Sequence, residues 1–553
     1  MEKFRIYKLI VVAILMIGIV GTLKLSQNYI KDEIKDRTNI VINNQNVTTS
    51  LSSNIYIDEK NTAYLSFDDI DNFFDENICF DSKYNIIITG SKNKIASFQI
   101  NQYEIDVNGA KKEIKSPAIK MDDMIFLPFS DMGEIYNLDI KYIKSADTLI
   151  VKSLNREEKT AKSTNNINVK YRPTVFSKTI EAIDKDIVLT VASEVNNWYK
   201  VTTPNGNIGY IRKQDLTNPE ISREKEEQIS KIDGNVSIIW EYFSEYGSAP
   251  DRTGTKLKGV NVVSPTFFTL VSEGKGKIDI NIGDEGLSYI NWAHNNGYQV
   301  WPSISNNSYI DTTSEILNDY KLRQYLINQI VKLVKQYNLD GINIDFEYMY
   351  VDDKDLFTRF IIELAPRLNE IGAVLSVDVT APDGGENWSM CYDRHRIAKA
   401  ADYIVYMAYD QHGISSDEAG TTAGYDWIEV NLKKFVGTQE EIEPNKIILG
   451  IPFYARLWEE KNGTVSNIAI AMKDLDGVIP NGIGKTWDDD LKQYYVEFSS
   501  NGGKYKLWIE DIKSIEAKLS LIEEYGLGGA AYWQKDMESQ DVWNLISKKL
   551  GIN

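Results

Sequence analysis

Cysteine and histidine are scarce in this chain of 553 residues, which contains two cysteines and three histidines. Cys79 and Cys391 fall in parts of the chain that we assign to different domains. Neither a disulfide framework nor a cysteine-based zinc site is therefore expected. His294, His395 and His412 show none of the short spacings that place two imidazoles on one metal ion. We assign no metal and no cofactor.

Basic residues are also fewer than acidic residues. The chain has 61 Lys and Arg against 80 Asp and Glu, which gives a formal net charge of −19. Because this charge repels phosphate backbones, we expect no nucleic-acid partner. It also weakens electrostatic docking on anionic lipids or polyanionic wall polymers. A hydrophobic content of 42% and a charged content of 25% are typical of a folded globular protein, and the length predicts several domains.

The N-terminus carries a hydrophobic segment behind a basic one. Lys3, Arg5 and Lys8 precede an apolar run from Leu9 to Leu23, a pattern typical of exported proteins. No A-x-A cleavage site follows, and residues 1–25 approach the length of a membrane span if the flanking lysines reach the interface. We therefore expect an extracytoplasmic protein that an uncleaved N-terminal helix anchors in the membrane. Secretion after cleavage is the alternative.

Residues 38–152 form the first of two small β-rich parts. Short β-branched or aromatic runs alternate there with Asn, Asp and Gly turns, which predicts strands and hairpins. The segment repeats itself without gaps, so that Leu65 aligns with Leu127 and Phe67 with Phe129. We expect one supersecondary unit used twice and packed face to face. The motifs IFLPFSDM and ADTLIVK resemble the domain named after the N-terminal region of copper amine oxidases, without copper ligands.

The second β-rich part spans about 165–217. Its segments INVKYRP and WYKVTTPNGNIGYI resemble a bacterial Src-homology-3-like (SH3-like) module. Trp198, Tyr199 and Tyr210 would form its aromatic core or surface. Both small parts resemble modules of exported bacterial proteins, which implies contact with the cell wall or a role as a spacer. The charged residues 218–232 are expected to be a linker or an exposed helix.

From about 233 to 553, short apolar runs alternate with amphipathic helical segments, as in parallel βα units. The candidate strands are Val236–Trp240, Val260–Ser264, Gln299–Ser303, Gly341–Phe346, Val374–Thr380, Tyr403–Tyr409, Ile447–Phe453 and Ala530–Trp533. Eight strands with intervening helices predict an α/β fold, a (β/α)₈ or TIM barrel. The long connection at about 459–513 is predicted to be an inserted substructure.

The segment LDGINIDFEYMY carries the candidate catalytic groups. Residues two apart on a strand point the same way, so Asn343, Asp345 and Glu347 form a polar row that faces the barrel interior. Two carboxyl groups in a core are costly unless they share a proton or hydrogen bonds. A close like charge raises the pKa of one partner, as a general acid near neutral pH requires. The row predicts an active site at the C-terminal mouth.

The segment DGINIDFE resembles the DGxDxDxE signature of glycoside hydrolase family 18. Three further segments, VYMAYD, GIPFYARLW and GGAAYWQKD, resemble the sixth, seventh and eighth strands of that family and follow in the right order. The resemblance covers the whole C-terminal part. With Asn in the motif, the chain looks most like the bacterial spore-cortex and cell-wall N-acetylglucosaminidases.

The resemblance implies retaining, substrate-assisted hydrolysis of β-1,4 bonds after N-acetylglucosamine. Glu347 would protonate the glycosidic oxygen and later activate water. Asp345 would bind the N–H of the 2-acetamido group, which itself attacks the anomeric carbon. Tyr409 would donate its hydroxyl to the acetamido oxygen. Asp410 would contact the sugar or the amide network, next to Arg456.

The same resemblance implies a sugar-binding surface. Trp533 would form an apolar floor under the −1 sugar. Further candidates for this surface are Asn343, Met407, Arg456, Trp240, Trp301, Tyr454 and Trp458. In one position the chain departs from the family, because the middle Asp of the motif is Asn343. No second acidic group is therefore expected beneath Asp345 to share its proton.

Three functions are compatible with this pattern. The first is an N-acetylglucosaminidase that cleaves peptidoglycan, which the export pattern and the small β-rich parts favour. A chitinase would use the same mechanism on another polymer. A non-catalytic glycan-binding barrel is the third. Family members that became lectins have typically lost the catalytic glutamate, so the presence of Glu347 favours an enzyme.

Overall fold

The computed structural model describes residues 37–225, 232–244 and 250–553. They form two compact units, one within 37–225 and one within 232–553, and each is described by itself. The predicted membrane anchor at 1–25 lies outside the described residues. Within them, no helix has the length and apolar character needed to cross a membrane.

The first unit begins with three small sheets around a shared apolar core. The strands of the first sheet, in spatial order, are Leu138–Ile143, Thr148–Ser153, Asn39–Ile42 and Gln45–Asn46. Those of the second are Ile119–Met121, Met124–Leu127, Ala63–Ser66 and Tyr56–Ile57. Those of the third are Cys79–Asp81, Ile86–Gly90, Ile95–Gln99, Glu104–Val107 and Ala110–Glu113. This β-rich architecture agrees with the prediction for 38–152.

The internal repeat is visible in the order of these elements. In the first copy, strand Ala63–Ser66 leads into helix Phe67–Phe73 and then a hairpin, and in the second copy strand Met124–Leu127 leads into helical turns and a hairpin. The two leading strands pair antiparallel, with Leu65 opposite Leu127. The copies therefore meet edge to edge at this contact, and the expectation of face-to-face packing is wrong there. Such pairing covers one exposed edge of each strand.

The second β-rich part is a seven-stranded antiparallel sheet. Its strands, in spatial order, are Thr179–Ile183, Ile167–Lys170, Ile208–Arg212, Trp198–Thr202, Val188–Val195, Glu158–Lys162 and Glu220–Arg223. Tyr199 lies in its core, whereas Trp198 and Tyr210 are half-buried. The likeness to SH3-like modules stays a prediction.

The boundaries of this sheet differ from the predicted 165–217. Strand Glu158–Lys162 pairs with Val188–Val195 on one side and with Glu220–Arg223 on the other. The interpretation of 218–232 as a linker or an exposed helix is therefore wrong for Glu220–Arg223. This segment is a strand because backbone hydrogen bonds to Glu158–Lys162 hold it, although its side chains are mostly exposed.

The second unit is a closed barrel of eight parallel strands. These strands are β1 (Val236–Glu241), β2 (Val262–Pro265), β3 (Gln299–Val300 and Ser303–Ser305), β4 (Gly341–Asp345), β5 (Val374–Val379), β6 (Tyr403–Met407), β7 (Ile447–Pro452) and β8 (Gly529–Trp533). Each strand pairs with the next, and β8 pairs with β1. The first half of β3 pairs with β2 and its second half with β4. The predicted (β/α)₈ barrel and its eight strands are confirmed.

Helices surround the barrel. They are α1 (Gly283–Asn295), α2 (Ile310–Asn318), α3 (Tyr320–Tyr337), α4 (Lys354–Asn369), α5 (Arg394–Ala400), α6 (Tyr425–Val436), α7 (Ile512–Tyr525) and α8 (Val542–Leu550). Asp319 caps α3, since its side chain accepts hydrogen bonds from the backbone N–H groups of Lys321 and Leu322. Helix α3 buries Leu326 and Ile330 against the core, as their spacing on one face predicts.

Side chains of the barrel strands alternate between the interior and the helices. Val236, Ile238, Val374, Val405 and Ile448 fill the interior. Neighbouring positions such as those of Ile342 and Ile344 on β4 belong to the core beneath the helices. Asn343 and Asp345 therefore face the interior, as predicted from the period of two.

The connection between β7 and β8 contains a second sheet, which agrees with the predicted inserted substructure. Its antiparallel strands, in spatial order, are Thr464–Ala471, Tyr454–Lys461, Gly503–Ile509, Gln493–Ser500 and Thr486–Asp488. Strand Tyr454–Lys461 begins immediately after the C-terminal end of β7. The inserted sheet thus brings Tyr454 and Arg456 to the barrel mouth, where active sites of this fold lie.

Candidate active site

The polar row of β4 rises from the barrel interior to its mouth. Asn343 is 1% exposed, whereas Asp345 and Glu347 are half-buried. Glu347 lies just beyond β4, and Asn306 holds its backbone in place. The N–H of Glu347 donates to Asn306 Oδ1 at 3.0 Å, and Asn306 Nδ2 donates to the carbonyl oxygen of Glu347 at 2.8 Å. This reciprocal pair of bonds fixes the point from which the Glu347 side chain projects.

Burial raises the pKa of both carboxyl groups at the mouth. The pKa of Asp345 reaches about 6, although a hydrogen bond with Glu347 acts in the opposite direction. The pKa of Glu347 lies well above its usual range, first because of burial and then because of the negative charge of Asp345, their hydrogen bond and the charge of Asp410. Glu347 therefore keeps its proton near neutral pH, which is the state a general acid requires.

A third carboxyl group, that of Asp378 on β5, lies beside the row. Asn343 Nδ2 donates to Asp378 Oδ1 at 2.8 Å and to Ser376 Oγ at 3.1 Å. Asn343 Oδ1 accepts from Trp240 Nε1 at 2.9 Å. Asp378 is 2% exposed, and burial followed by the charge of Asp345 raises its pKa well above the usual range. The expectation that no second acidic group lies near Asp345 is therefore wrong, because the neighbouring strand supplies one.

Asp410 follows β6 in a left-handed backbone conformation with φ 55°. Its Oδ1 accepts from Tyr454 Oη at 2.8 Å and from Arg456 Nη2 and Nε at 2.9 and 3.2 Å. The expected contact between Asp410 and Arg456 is thus present. Arg456 lies on the inserted sheet, where its Nη1 donates to Asn467 Oδ1 at 3.0 Å, so its bonds to Asp410 tie that sheet to the mouth of the barrel.

Tyr409 precedes Asp410 and is half-buried. Burial, then the charges of Asp378 and its neighbours, raise the pKa of this phenol well above its usual range, so that it remains a neutral hydrogen-bond donor. Gly450 on β7 leaves room for the ring, because a Cβ there would lie 2.7 Å from the carbonyl oxygen of Tyr406 and 3.3 Å from Tyr409 Cε1. Met407, at the end of β6, is 6% exposed.

The tryptophans divide into one at the surface of the site and several beneath it. Trp533, the last residue of β8, is half-buried, and its ring centroid lies 5.9 Å from that of Trp240. Trp240 is 2% exposed, and its indole N–H donates a hydrogen bond to Asn343 Oδ1. Trp240 and Asn343 therefore leave almost no surface for a ligand, and they support the site from below instead of lining it.

The expectation that Trp301 and Trp458 are sugar-stacking platforms is wrong. Both side chains are 0% exposed. Trp301 lies in the break of β3, where its Nε1 donates to Gln299 Oε1 at 2.8 Å. Trp458 Nε1 donates to the carbonyl oxygen of Gly420 at 2.8 Å. Their positions near strand ends suggested access to the mouth, but both rings turn into the protein.

The mouth of the barrel brings together the carboxyl groups of Asp345 and Glu347, the neutral phenol of Tyr409 and the half-buried indole of Trp533. Within 37–225, 232–244 and 250–553, no group of three or more His, Cys, Asp or Glu is placed to hold a metal ion. Residues 238–538, more than half of the chain, match the family described as Glycosyl hydrolases family 18. The chain belongs to glycoside hydrolase family 18. Residues 41–151 match the Copper amine oxidase N-terminal domain, in agreement with the resemblance noted for 38–152.

Relatives of this family-18 chain include two Bacillus subtilis proteins. The uncharacterised glycosylase YvbX is 30% identical over 293 residues, which cover 51% of this chain and 82% of that protein. The cortical fragment-lytic enzyme is 24% identical over 262 residues, which cover 45% and 59%. The crystal structure of a chitinase from Chromobacterium violaceum shares the fold, with a TM-score of 0.51 and 24% identity over 58% of this chain and 100% of that one.

This chain is therefore a family-18 glycosidase related to spore cortex-lytic enzymes and chitinases, and the family implies a glycan that contains N-acetylglucosamine. The structure brings Asp345, Glu347, Tyr409 and Asp410 to one mouth. Sequence reasoning missed two residues of this family-18 site, Asn306 and Asp378. Asp378 had a visible signal, because Ser376 and Asp378 interrupt an apolar strand with the same period of two as the row on β4.

Proposed function

We propose that this family-18 glycosidase hydrolyses β-1,4 bonds after N-acetylglucosamine in peptidoglycan, with retention of configuration. In this proposal the 2-acetamido group of the substrate is the nucleophile. The observation that carries it is the hydrogen bond between the acid Glu347 and its neighbour Asp345. A retaining enzyme with its own nucleophile places a second carboxylate across the sugar, about 5 Å from the acid, and an inverting enzyme places it still farther away. Two hydrogen-bonded side chains cannot lie on opposite faces of one sugar ring.

The other carboxyl groups near the mouth are also unsuited to attack. Asp378 is 2% exposed beside the row. Asp410 is bound by Arg456 and Tyr454 through the same carboxylate oxygen. The substrate itself is therefore the best available source of the nucleophile.

The proposed reaction has two steps. Glu347 gives its proton to the glycosidic oxygen while the acetamido oxygen bonds to the anomeric carbon, and the aglycone leaves. Asp345 binds the acetamido N–H and balances the positive charge of the oxazolinium ion, and Tyr409 donates to the acetamido oxygen. Glu347, now ionised, takes a proton from a water molecule. The oxygen of that water attacks the anomeric carbon from the side that the aglycone left, which opens the oxazolinium ring and restores the original configuration.

Peptidoglycan is favoured as the polymer by the cortical fragment-lytic enzyme among the relatives and by the β-rich unit that precedes the barrel. A chitinase is the second candidate, because a chitinase shares the fold. Mass analysis of the fragments released from purified peptidoglycan and from chitin oligomers distinguishes the two. Faster release from chitin at equal N-acetylglucosamine content would contradict the peptidoglycan proposal.

We also infer an extracytoplasmic location, with anchoring in the membrane by residues 1–25 and contact with the wall through the small β-rich parts. The basic stretch and apolar run of the N-terminus support this proposal. Fractionation of cells that produce the full chain, followed by protease treatment of intact protoplasts, tests it. A chain that stays in the cytoplasmic fraction and resists the protease would contradict it.

Proton NMR of the first-formed product tests the mechanism. On an N-acetylglucosamine oligomer we expect initial release of the β-anomer, because retention through an oxazoline preserves the configuration. Initial release of the α-anomer would mean inversion, and the substrate-assisted proposal would be wrong. A thiazoline mimic of the oxazoline is expected to inhibit, since the site is built to bind the state it resembles.

A further inference from the structure

An exposed group of apolar side chains lies on a hairpin loop of the seven-stranded sheet. The loop, residues 171–178, follows strand Ile167–Lys170. Phe176 is 95% exposed, and Tyr171 and Val175 are 56% and 51% exposed. These three side chains form an apolar tip. A single exposed apolar side chain is ordinary, whereas three on one short loop indicate a surface that meets an apolar partner.

Hydrogen bonds hold the apolar tip in one conformation. The carbonyl oxygen of Thr174 accepts the N–H of Ser177 at 3.1 Å, which closes a β-turn. Its two central residues are Val175 and Phe176, and the hydroxyl of Ser177 also accepts the N–H of Arg172 at 2.9 Å. Central turn positions usually carry Gly, Pro, Asn or Asp, because these residues supply the backbone geometry or local hydrogen bonds that a turn needs. Val and Phe supply neither, so the turn itself does not explain their presence.

The charge of this loop is opposite to that of the whole chain. Residues 170–178 have the sequence KYRPTVFSK, with three basic residues and no acidic one, whereas the chain has a net charge of −19. Arg172 and Lys178 are exposed, and the guanidinium carbon of Arg172 lies 5.9 Å from the centroid of the Tyr171 ring. Cations that flank apolar and aromatic side chains are typical of segments that bind the interface of an anionic bilayer.

The shape of the apolar tip favours a membrane over a wall polymer. Sites for small ligands such as sugars are concave, because the protein must surround the ligand to bury its surface. A side chain that is 95% exposed, as that of Phe176 is, has almost no protein around it. Only the partner can therefore surround this protruding ring, which a lipid interface does and a single glycan chain does not.

The proposed anchor would keep this loop near the bilayer. Eleven residues, 26–36, separate the anchor from the first described residue, Arg37, and eleven extended residues span at most about 40 Å. The loop lies in the same compact unit as Arg37. A tether of this length raises the local concentration of the membrane surface, so that even a weak contact is sufficient.

We propose that the loop 171–178 is a second membrane contact, in which Val175 and Phe176 enter the interface between the lipid headgroups and the acyl chains. Arg172 and Lys178 then lie at the level of the lipid phosphates. The contact holds the first unit against the outer face of the membrane, in addition to the anchor. This inference rests on the proposed extracytoplasmic location and deepens it.

Fluorescence of the full chain in lipid vesicles tests the proposal. The vesicles contain phosphatidylglycerol and phosphatidylcholine, and part of the lipid carries a spin label near the top of the acyl chain, which quenches a nearby dye. The dye is attached to Thr174→Cys, because only backbone atoms of Thr174 form the hydrogen bonds of the turn. Cys79→Ser removes the half-buried native thiol, whereas Cys391 is 0% exposed and can stay.

Two substitutions are compared within this labelled chain. Phe176→Ser removes the ring of the apolar tip. Tyr103→Ser is the matched control, since it removes a ring that is 53% exposed elsewhere in the same unit. Arg172→Gln combined with Lys178→Gln tests the charges separately from the ring.

We expect the dye to be quenched in the anionic vesicles. Phe176→Ser should lower the equilibrium constant for insertion by about tenfold or more, because the burial of one Phe side chain corresponds to that factor. Tyr103→Ser should leave the quenching unchanged, and the loss of both cations should weaken it only when anionic lipid is present. A dye that is not quenched on the intact loop would overturn the proposal, even if a variant fails to fold. Equal losses in Phe176→Ser and Tyr103→Ser would also overturn it.

Flotation of the same vesicles separates this proposal from that of the anchor. A chain that floats with the vesicles while its dye is not quenched keeps the anchor and overturns the loop contact. If residues 1–25 do not anchor the chain, it will not float at low lipid concentration, and quenching at high lipid concentration then reports the loop alone. A dye that responds to purified peptidoglycan but is not quenched in vesicles would assign the apolar tip to the wall and overturn the proposal.

Discussion

Replacement of Glu347 by Gln tests the assignment of the catalytic acid most directly. Gln has the size of Glu but has no acidic proton to give to the glycosidic oxygen. The two hydrogen bonds between Glu347 and the side chain of Asn306 involve only backbone atoms of Glu347, so the substitution leaves them in place. The variant should therefore fold, bind glycan and fail in proton transfer alone.

The expected loss of rate can be given a size, because only proton transfer should fail in this variant. General acid–base catalysis contributes on the order of 10²–10⁴ in rate. Each factor of ten corresponds to about 1.4 kcal/mol, so the barrier should rise by about 3–6 kcal/mol. Asp345, Tyr409 and Trp533 should still position the substrate, and this positioning sets the rate that remains. KM should change little, because the lost interaction acts in the transition state.

The assay is hydrolysis of an N-acetylglucosamine oligomer, with binding of the same oligomer measured by calorimetry. Glu315→Gln on the exposed face of α2 makes the same chemical change away from the site and should be fully active. Turnover of Glu347→Gln within a factor of ten of the wild type would refute the assignment. Loss of glycan binding together with activity would show that the variant had lost the site geometry.

Four further results are expected. A chain that begins at Ile232 should fold and cleave a short soluble oligomer, because the barrel closes its own core; a folded but inert product would show that the site needs upstream residues. Asn306→Ala should lower kcat by about 30-fold, since two hydrogen bonds worth about 1 kcal/mol each hold Glu347, and wild-type kcat would contradict this. Oligomers with a free amine at the −1 sugar should be refused, and their cleavage at the N-acetylated rate would contradict the acetamido nucleophile. Glu347→Gln should also unfold at a higher temperature than the wild type at pH 8 but not at pH 4. Below the unfolded-state pKa of about 4.3 both forms are neutral, and the buried group with its raised pKa destabilises the wild type only as pH rises; equal gains at both pH values would contradict this.

The barrel could be predicted because its strands are buried on both faces. Runs such as Tyr403–Met407 are almost entirely apolar, and a helix with one apolar face follows. The polar row of β4 was equally visible, since the alternation of Asn343, Asp345 and Glu347 is a property of a single strand. Local patterns of this kind need no knowledge of which strands are neighbours.

The residues that contact this polar row could not be predicted, because their contacts depend on which strands are neighbours. Asp378 meets Asn343 only because β5 pairs with β4 in one particular register, and Asn306 reaches Glu347 from the end of β3. The burial of Trp301 likewise depends on its stacking against Tyr403 of β6, which is far away in the sequence. Contacts between strands follow from sheet order and register, which no single segment encodes.

Strand Glu220–Arg223 failed as a prediction because it carries the signals of a linker. Its side chains are mostly exposed and do not alternate between apolar and polar. Its backbone bonds to Glu158–Lys162 alone define it as a strand. The spacing of apolar residues cannot predict an edge strand of this type, because its side chains are mostly exposed.

That edge strand has a consequence for how a domain of this form can be joined to other domains. Glu158–Lys162 is where the chain enters the seven-stranded sheet and Glu220–Arg223 is where it leaves, and the two are antiparallel neighbours. Entry and exit therefore adjoin, as in domains that tolerate insertion into a host chain. A cassette of this form can be gained, duplicated or exchanged between genes while the flanking folds keep their own cores.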